Sequence, residues 1–100
     1  RIPVREILYC CSCARKTLIV TERNIYQVYK KLDEVQKHLE QSNKIFIRCH
    51  KSYLVNLAHV RRVSARQILL KNGEILPVSS SRKKKMDEQL QRSLRNERRE

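Results

Sequence analysis

Apolar and polar positions along the chain change period several times, and each change marks an element. Arg5 to Ser12 is apolar and β-prone at its centre, in Ile7, Leu8 and Tyr9. Thr17 to Thr21 (TLIVT) is rich in β-branched residues, which suit a pleated, half-buried surface. A short basic connection, Cys13-Ala14-Arg15-Lys16, joins these two strands. Glu22-Arg23-Asn24 reads as a turn, and Ile25, Gln27 and Tyr29 then alternate as a third strand would. From about residue 31 the period lengthens. Leu32, Val35 and Leu39 fall at i, i+3 and i+7 among charged residues, which predicts a short amphipathic helix over about 31–41, ended by Ser42-Asn43.

The second half returns to period two. Ile45 to Arg48, Tyr53 to Val55, His59 to Val63 and Gln67 to Leu70 read as short strands. Asn72-Gly73, between Ile68–Lys71 and Glu74–Leu76, predicts a type I′ hairpin, in which both turn residues take positive φ. Pro77 favours a sheet edge, because it has no N–H for a ladder. The last segment is a helix over about 82–95, with Met86, Leu90 and Leu94 recurring every four residues and Ser79, Ser80 or Ser81 available as its cap. Arg95 to Glu100 is charged and expected to fray. The pattern predicts a single domain over 1–100.

Charge narrows the function. Lys and Arg number 23 against 10 Asp and Glu, a formal net charge of +13 on 100 residues. Such a charge opposes compaction unless a polyanion neutralises it. Nucleic acid meets that description, since phosphate attracts Lys and Arg whatever the base sequence; an anionic membrane surface is the rival. No apolar run is long enough to span a bilayer and no signal peptide is visible. The final helix places Arg82, Lys83, Lys84 and Lys85 in its first turn, where cations oppose the macrodipole. That arrangement makes sense if the helix start faces an anion; the plainer account is a solvated basic patch. With Arg1 first and a charged end, the chain is read as a fragment of a longer protein.

Cys10, Cys11 and Cys13 are crowded together, with Cys49 apart from them. This is not the spacing of a disulfide framework, and reduced thiols in a cytoplasmic protein are expected. Zinc held by the cluster and a histidine is conceivable, but adjacent strand residues point to opposite faces. Cys49, between Arg48 and His50, is a candidate redox thiol, since nearby positive charge lowers a thiol pKa. A single glycine leaves no phosphate-cradling loop, and no nucleophile elbow or paired-carboxylate pattern appears. Neither an enzyme nor a cofactor is implied.

The segment Phe46–Leu57 groups Arg48, His50, Lys51 and Ser52 between two apolar blocks, which is a strand, a polar bend and a second strand. Such a bend suits phosphate and base-edge contacts. For His50 and Asn56 the favoured role is to satisfy backbone groups in the turn. Lys51 has no such use in a core turn.

FIRCHKSYLVNLAHVRRV, followed by ILLKNGEILPVS, closely resembles the LytTR family of DNA-binding domains, found at the C-terminal end of many bacterial response regulators. REILYCCSCARKTLIVT resembles the family's opening strand pair, so the likeness runs from about Arg5 to Lys83. It implies a mostly β fold of about ten short strands in small antiparallel sheets, forming an elongated body with one or two helices. It also implies that loops, not a recognition helix, enter successive major grooves of direct-repeat promoter sites. By position, those loops hold Arg15 and Lys16; Arg48, His50, Lys51 and Ser52; and Ser80, Ser81, Arg82 and Lys83. The family commonly carries Arg directly after the V-S pair, where this chain has Ser80; Arg82 or Lys83 is expected to take over the backbone contact. Double-stranded DNA is the implied partner, with an N-terminal receiver domain in the intact protein and a dimer on DNA as further expectations. Two other readings stay open. One is a non-specific RNA or single-strand binder using Tyr9, Tyr26, Tyr29, Phe46 and Tyr53, although these lie in apolar blocks that suit a core. The other is a metal or redox module built on the cysteines.

Overall fold

The TLIVT run and its neighbours build one sheet. In the computed structural model, which describes residues 2–98, strands β1 (Ile7–Cys13), β2 (Lys16–Thr21), β3 (Ile25–Val28), β4 (Phe46–His50) and β5 (Tyr53–Asn56) form an antiparallel sheet in the order β3-β2-β1-β5-β4. Strands β6 (Val60–Val63), β7 (Gln67–Leu70) and β8 (Ile75–Pro77) form a second antiparallel sheet in that order. Helix α1 (Leu32–Leu39) follows β3, and α2 (Lys83–Arg98) follows β8. The architecture is the mostly β one expected, with eight strands where the resemblance implied about ten. The body measures 36 × 30 × 25 Å, so it is only mildly elongated. Pro77 does lie on an edge strand. Within the final stretch, 95–98 continue α2 instead of fraying; residues 99–100, and the side chain of Leu94 expected on its apolar face, lie outside the described residues.

Period-two alternation along β4 and β5 divides the interior. Phe46 and Leu54 face one way, with Ile7, Cys10 and the α1 residues Leu32, Val35 and Leu39. Ile47, Cys49 and Val55 face the other, with Ile68, Leu70, Leu76, Val78 and Met86. Ile47, Leu54, Val55 and Ile68 are at most 1% exposed, and burying each such side chain stabilises the fold by about 1.5–3 kcal/mol. The i, i+3, i+7 triad of α1 is therefore its core face. The helix start is fixed by Glu34, whose carboxylate accepts the backbone N–H of Lys31 at 3.3 Å. This is half of a capping box, because a lysine side chain has no acceptor to return the bond.

Two turns differ from local expectation. Of Asn72 and Gly73 only the glycine has positive φ, at 97°. Gly73 N–H donates to the Leu70 carbonyl at 3.0 Å, and Leu70 N–H donates to the Glu74 carbonyl at 2.8 Å. The loop is a three-residue one, a type I turn over Lys71-Asn72 followed by a left-handed Gly73, not a type I′ turn. Asn72 serves through its side chain, accepting Glu74 N–H at 3.0 Å, a bond that asparagine makes readily in turns. The serine cap of the last helix is also replaced. Ser80–Arg82 form a 3-10 turn running into α2, Arg82 N–H donates to the Ser79 carbonyl at 3.1 Å, and the Ser79 side chain makes no cap.

The β1–β2 hairpin closes through Ala14 and Arg15, with Cys13 paired to Lys16. Ala14 sits at φ 57°, a region that an L side chain enters at a cost. Replacing Ala14 by Gly should raise stability by roughly 0.5–1 kcal/mol. Urea unfolding checks this; an unchanged or lower midpoint would mean the turn carries no strain.

Candidate nucleic-acid interface

Strand polarity brings distant segments to one end of the five-stranded sheet. Cys13 pairs with Lys16, Cys11 with Tyr53, and Thr17 with Val28. The Ala14-Arg15 turn, the Lys51-Ser52 bend and the exit from β3 at Tyr29–Lys31 therefore share that end. Ser12 N–H donates to the Ser52 carbonyl at 3.0 Å, tying hairpin to bend. Ser79 N–H donates to the Cys49 carbonyl at 2.9 Å, tying the turn before α2 to the same strand end. All three predicted loops are thus joined by backbone hydrogen bonds.

Arg48 organises the bend. It lies on the β4 face that packs toward α1, and its side chain is 11% exposed. Its Nε donates to the His50 carbonyl at 2.9 Å, Nη1 to Asp33 Oδ1 at 2.7 Å and to Gln36 Oε1 at 2.8 Å, and Nη2 to the Lys51 carbonyl. The planar fork holds two carbonyls of the bend and two side chains of α1 at once. Arg48, one of the residues expected at DNA, makes all of these bonds within the protein and shapes the loop that carries Lys51. The same guanidinium, by hydrogen bond first and charge second, holds the Asp33 carboxyl below its ordinary range.

His50 takes the role favoured for it. Its Nδ1 accepts Ser52 N–H at 3.1 Å, and its ring meets Tyr53 edge-on at 5.8 Å. Asn56, fully buried, accepts Ala58 N–H at 3.1 Å and donates to the Ile7 carbonyl at 2.9 Å. Lys51 is exposed at the apex, and Ser52 is half-buried beside it. At the hairpin, Arg15 is exposed, while the Lys16 ammonium donates to Gln27 Oε1 at 3.1 Å and stands 5.3 Å from the centroid of the Tyr29 ring. Ser80 and Ser81 are exposed and Arg82 is half-buried. Lys83 pairs with Asp87 at 2.7 Å, with both side chains nearly half exposed; such a pair contributes at most about 1 kcal/mol and yields readily to a phosphate. Lys84 and Lys85, exposed in the next positions, extend this basic turn.

Lys30 and Lys31, which the sequence pattern does not single out, stand exposed at this same sheet end beside Tyr29. The signal available was an aromatic followed by two lysines at a change of period. Aromatic burial was also overestimated. Phe46 is buried and Tyr9 and Tyr53 are half-buried, but Tyr26 is 39% and Tyr29 78% exposed.

The cysteines behave as their burial dictates. Cys49 is fully buried, its thiol donating weakly to the Tyr53 carbonyl at 3.9 Å, and burial pushes its pKa up to about 11. Arg48 and Arg82 pull in the other direction and are outweighed. The neighbouring cations that suggested a redox thiol therefore do not produce a reactive one. Cys10 is buried and pushed up to about 12, Cys11 on the opposite face is half-buried and also raised, and Cys13 is exposed. Among the described residues, no group of three or more His, Cys, Asp or Glu is placed to hold a metal ion.

Comparison with known proteins agrees with this fold. The family model of the LytTr DNA-binding domain matches residues 1–91. A solved structure of the LytTr DNA-binding domain from Bacillus cereus, part of a protein described as a methyl-accepting/DNA response regulator, superposes with a TM-score of 0.75. It shares 26% identity, over 89% of this chain and 84% of its own. No curated protein sequence matches the chain.

Replacing Arg48 by Leu should cost roughly 2–3 kcal/mol, because the bend carbonyls lose a charged donor. Asp33→Asn should cost under about 1 kcal/mol, since its side chain is 79% exposed. The Asp33 carboxyl is depressed in the fold, so its contribution is complete above about pH 4 and lost as pH falls through the lowered value. Urea melts of wild type and Asp33→Asn should therefore converge on acidification; a gap that persists at low pH rules the pair out as its source. In thiol labelling at neutral pH, Cys13 should react first, and Cys10 and Cys49 only on unfolding. Native labelling of Cys49 as fast as Cys13 would restore the redox reading.

Proposed function

The chain belongs to the LytTR family of DNA-binding domains, and we propose that it binds duplex DNA sequence-specifically as the output domain of a bacterial transcription regulator. The observation that carries this reading is the meeting of three basic loops at one sheet end, with Lys51 at the apex of a bend whose carbonyls Arg48 clamps. Rigid presentation matters, because a base-reading side chain on an unfixed loop spends its binding energy on ordering. In the proposed mode Lys51 and Lys16 reach base edges in successive major grooves, Ser52 and the exposed Ser80 and Ser81 take phosphates, and Arg82 and Lys83 add backbone contacts. Arg48 and His50 act from behind, as positioning residues.

The family is one of DNA-binding, non-catalytic domains. No helix among the described residues is long and apolar enough to cross a membrane. The Bacillus cereus domain comes from a protein described as a DNA response regulator; by analogy, we read this chain as the effector of a cytoplasmic two-component regulator with a receiver domain before it. Binding of direct-repeat promoter sites by two copies of the chain belongs to the same proposal.

Selection of bound duplexes from a random library should enrich a short, repeated motif, whereas an unenriched pool would favour non-specific binding. On the selected duplex, Lys51→Ala should lose roughly 1–3 kcal/mol, the size of one good base contact. Lys83→Ala should weaken target and unrelated duplexes alike. Wild-type affinity in Lys51→Ala would remove that residue from base reading.

A further inference from the structure

We infer that the connection Tyr29-Lys30-Lys31 is a fourth DNA-contacting segment, one that holds the phosphate backbone beside the groove entered by the hairpin. The inference rests on the duplex-binding reading above and assigns a contact to residues outside its three loops.

The segment is exposed yet anchored. Tyr29 is 78% exposed, the most exposed large hydrophobic side chain among the described residues, and Lys30 and Lys31 are exposed beside it. Beneath them lies Thr17, which is fully buried and donates its hydroxyl to the Lys30 carbonyl at 2.8 Å. A buried hydroxyl must find a partner, and this one spends its bond on fixing a surface connection. On the other side, Glu34 accepts Lys31 N–H, and the Lys31 carbonyl accepts the N–H groups of Glu34 and Val35. The backbone is thus held on both sides of an outward-pointing pair of lysines.

The local charge has no internal answer. Lys31 lines one groove with Ser12, Ala14, Arg15 and Lys16. The nearby acids are occupied, Asp33 by Arg48 and Glu34 by the helix start. Among the described residues, neither Lys30 nor Lys31 forms an ion pair. Clustered cations at the end of a sheet repel one another and attract a polyanion. Tyr29 supplies what the lysines lack, a flat ring for a deoxyribose and a phenol for a phosphate oxygen. In the unbound chain that ring lies beside the Lys16 ammonium. Sliding of Lys16 toward a base edge would expose the ring to the sugar next to it.

The test compares wild type with the Lys30→Gln/Lys31→Gln double variant and, in parallel, Lys51→Ala, on selected and unrelated duplexes. The double variant should weaken both duplexes by the same factor and flatten the salt dependence of log K by roughly 0.9 per lost phosphate contact. Lysine acylation read by mass spectrometry should show Lys30 and Lys31 protected in the wild-type complex while Lys44 stays reactive. A wild-type salt slope in the double variant, or equal acylation of Lys30 and Lys31 in free and bound protein, overturns the inference. If Lys51→Ala still loses affinity in that case, the proposed function stands and the exposed tyrosine belongs to a protein partner. A loss confined to the selected duplex overturns the backbone assignment. Failure of wild type to bind any duplex overturns both readings.

Discussion

Strands β4 and β5 are buried on both faces, and the rest of the molecule is arranged to satisfy that constraint. Phe46 and Leu54 need a cover on one side, which α1 and the start of β1 supply. Ile47, Cys49 and Val55 need one on the other, which the second sheet and Met86 of α2 supply. An antiparallel sheet usually keeps one face in water, with apolar and polar residues alternating. Here the near-continuous apolar runs FI and YLV reflect two covers instead of one. The bend between the two strands emerges from the middle of this sandwich, so its position is set by packing on both sides.

Among the polar residues that enter that sandwich, Arg48 ties its packing to the shape of the bend. Arg48 occupies a β4 position that faces α1, where an apolar side chain would otherwise sit. A nearly buried guanidinium is costly unless its donors are met. They are met by Asp33, Gln36 and the carbonyls of His50 and Lys51. The desolvation requirement thereby becomes a geometric one, because the bend adopts the shape that satisfies the fork. His50 completes it by accepting Ser52 N–H. The Lys51 side chain takes no part in these bonds and projects from a loop that its backbone and its neighbours hold.

Electrostatics and stability pull against each other over the same surface. A net charge of +13 on 100 residues is unfavourable for a compact chain alone. Cations gather where strands end and at the first turn of α2, with Lys83–Asp87 as a local exposed pair. The left-handed Ala14 lies among them at the tip of a hairpin. Strain and like charge at one site are tolerated when the surrounding sheet over-determines the backbone, and such places are commonly functional.

Periodicity, by itself, determined the elements, because the repeat of apolar residues is a local property. The Leu32-Val35-Leu39 triad, the β-branched TLIVT run and the edge position of Pro77 could all be read from neighbours in the chain. The resemblance of Phe46–Leu57 to one family, together with the charge, pointed to duplex DNA. The roles of single residues were decided by the tertiary structure. Arg48 reads as a phosphate ligand from its neighbours, and the tertiary structure adds Asp33 and Gln36, on a separate helix, as its partners. Cys49 looks activated by its neighbours until burial outweighs them. Of Asn72 and Gly73 only the glycine takes positive φ, because register with β7 sets a three-residue loop. Lys30 and Lys31 are unremarkable in the sequence, and strand pairing places them, with Tyr29, at the hairpin and the bend. For Arg48, Cys49 and the Tyr29–Lys31 connection the deciding partner is distant in the chain, or the deciding factor is burial. Neither is encoded in a residue's immediate neighbours, which is why DNA binding was legible early and the partners of single side chains were not.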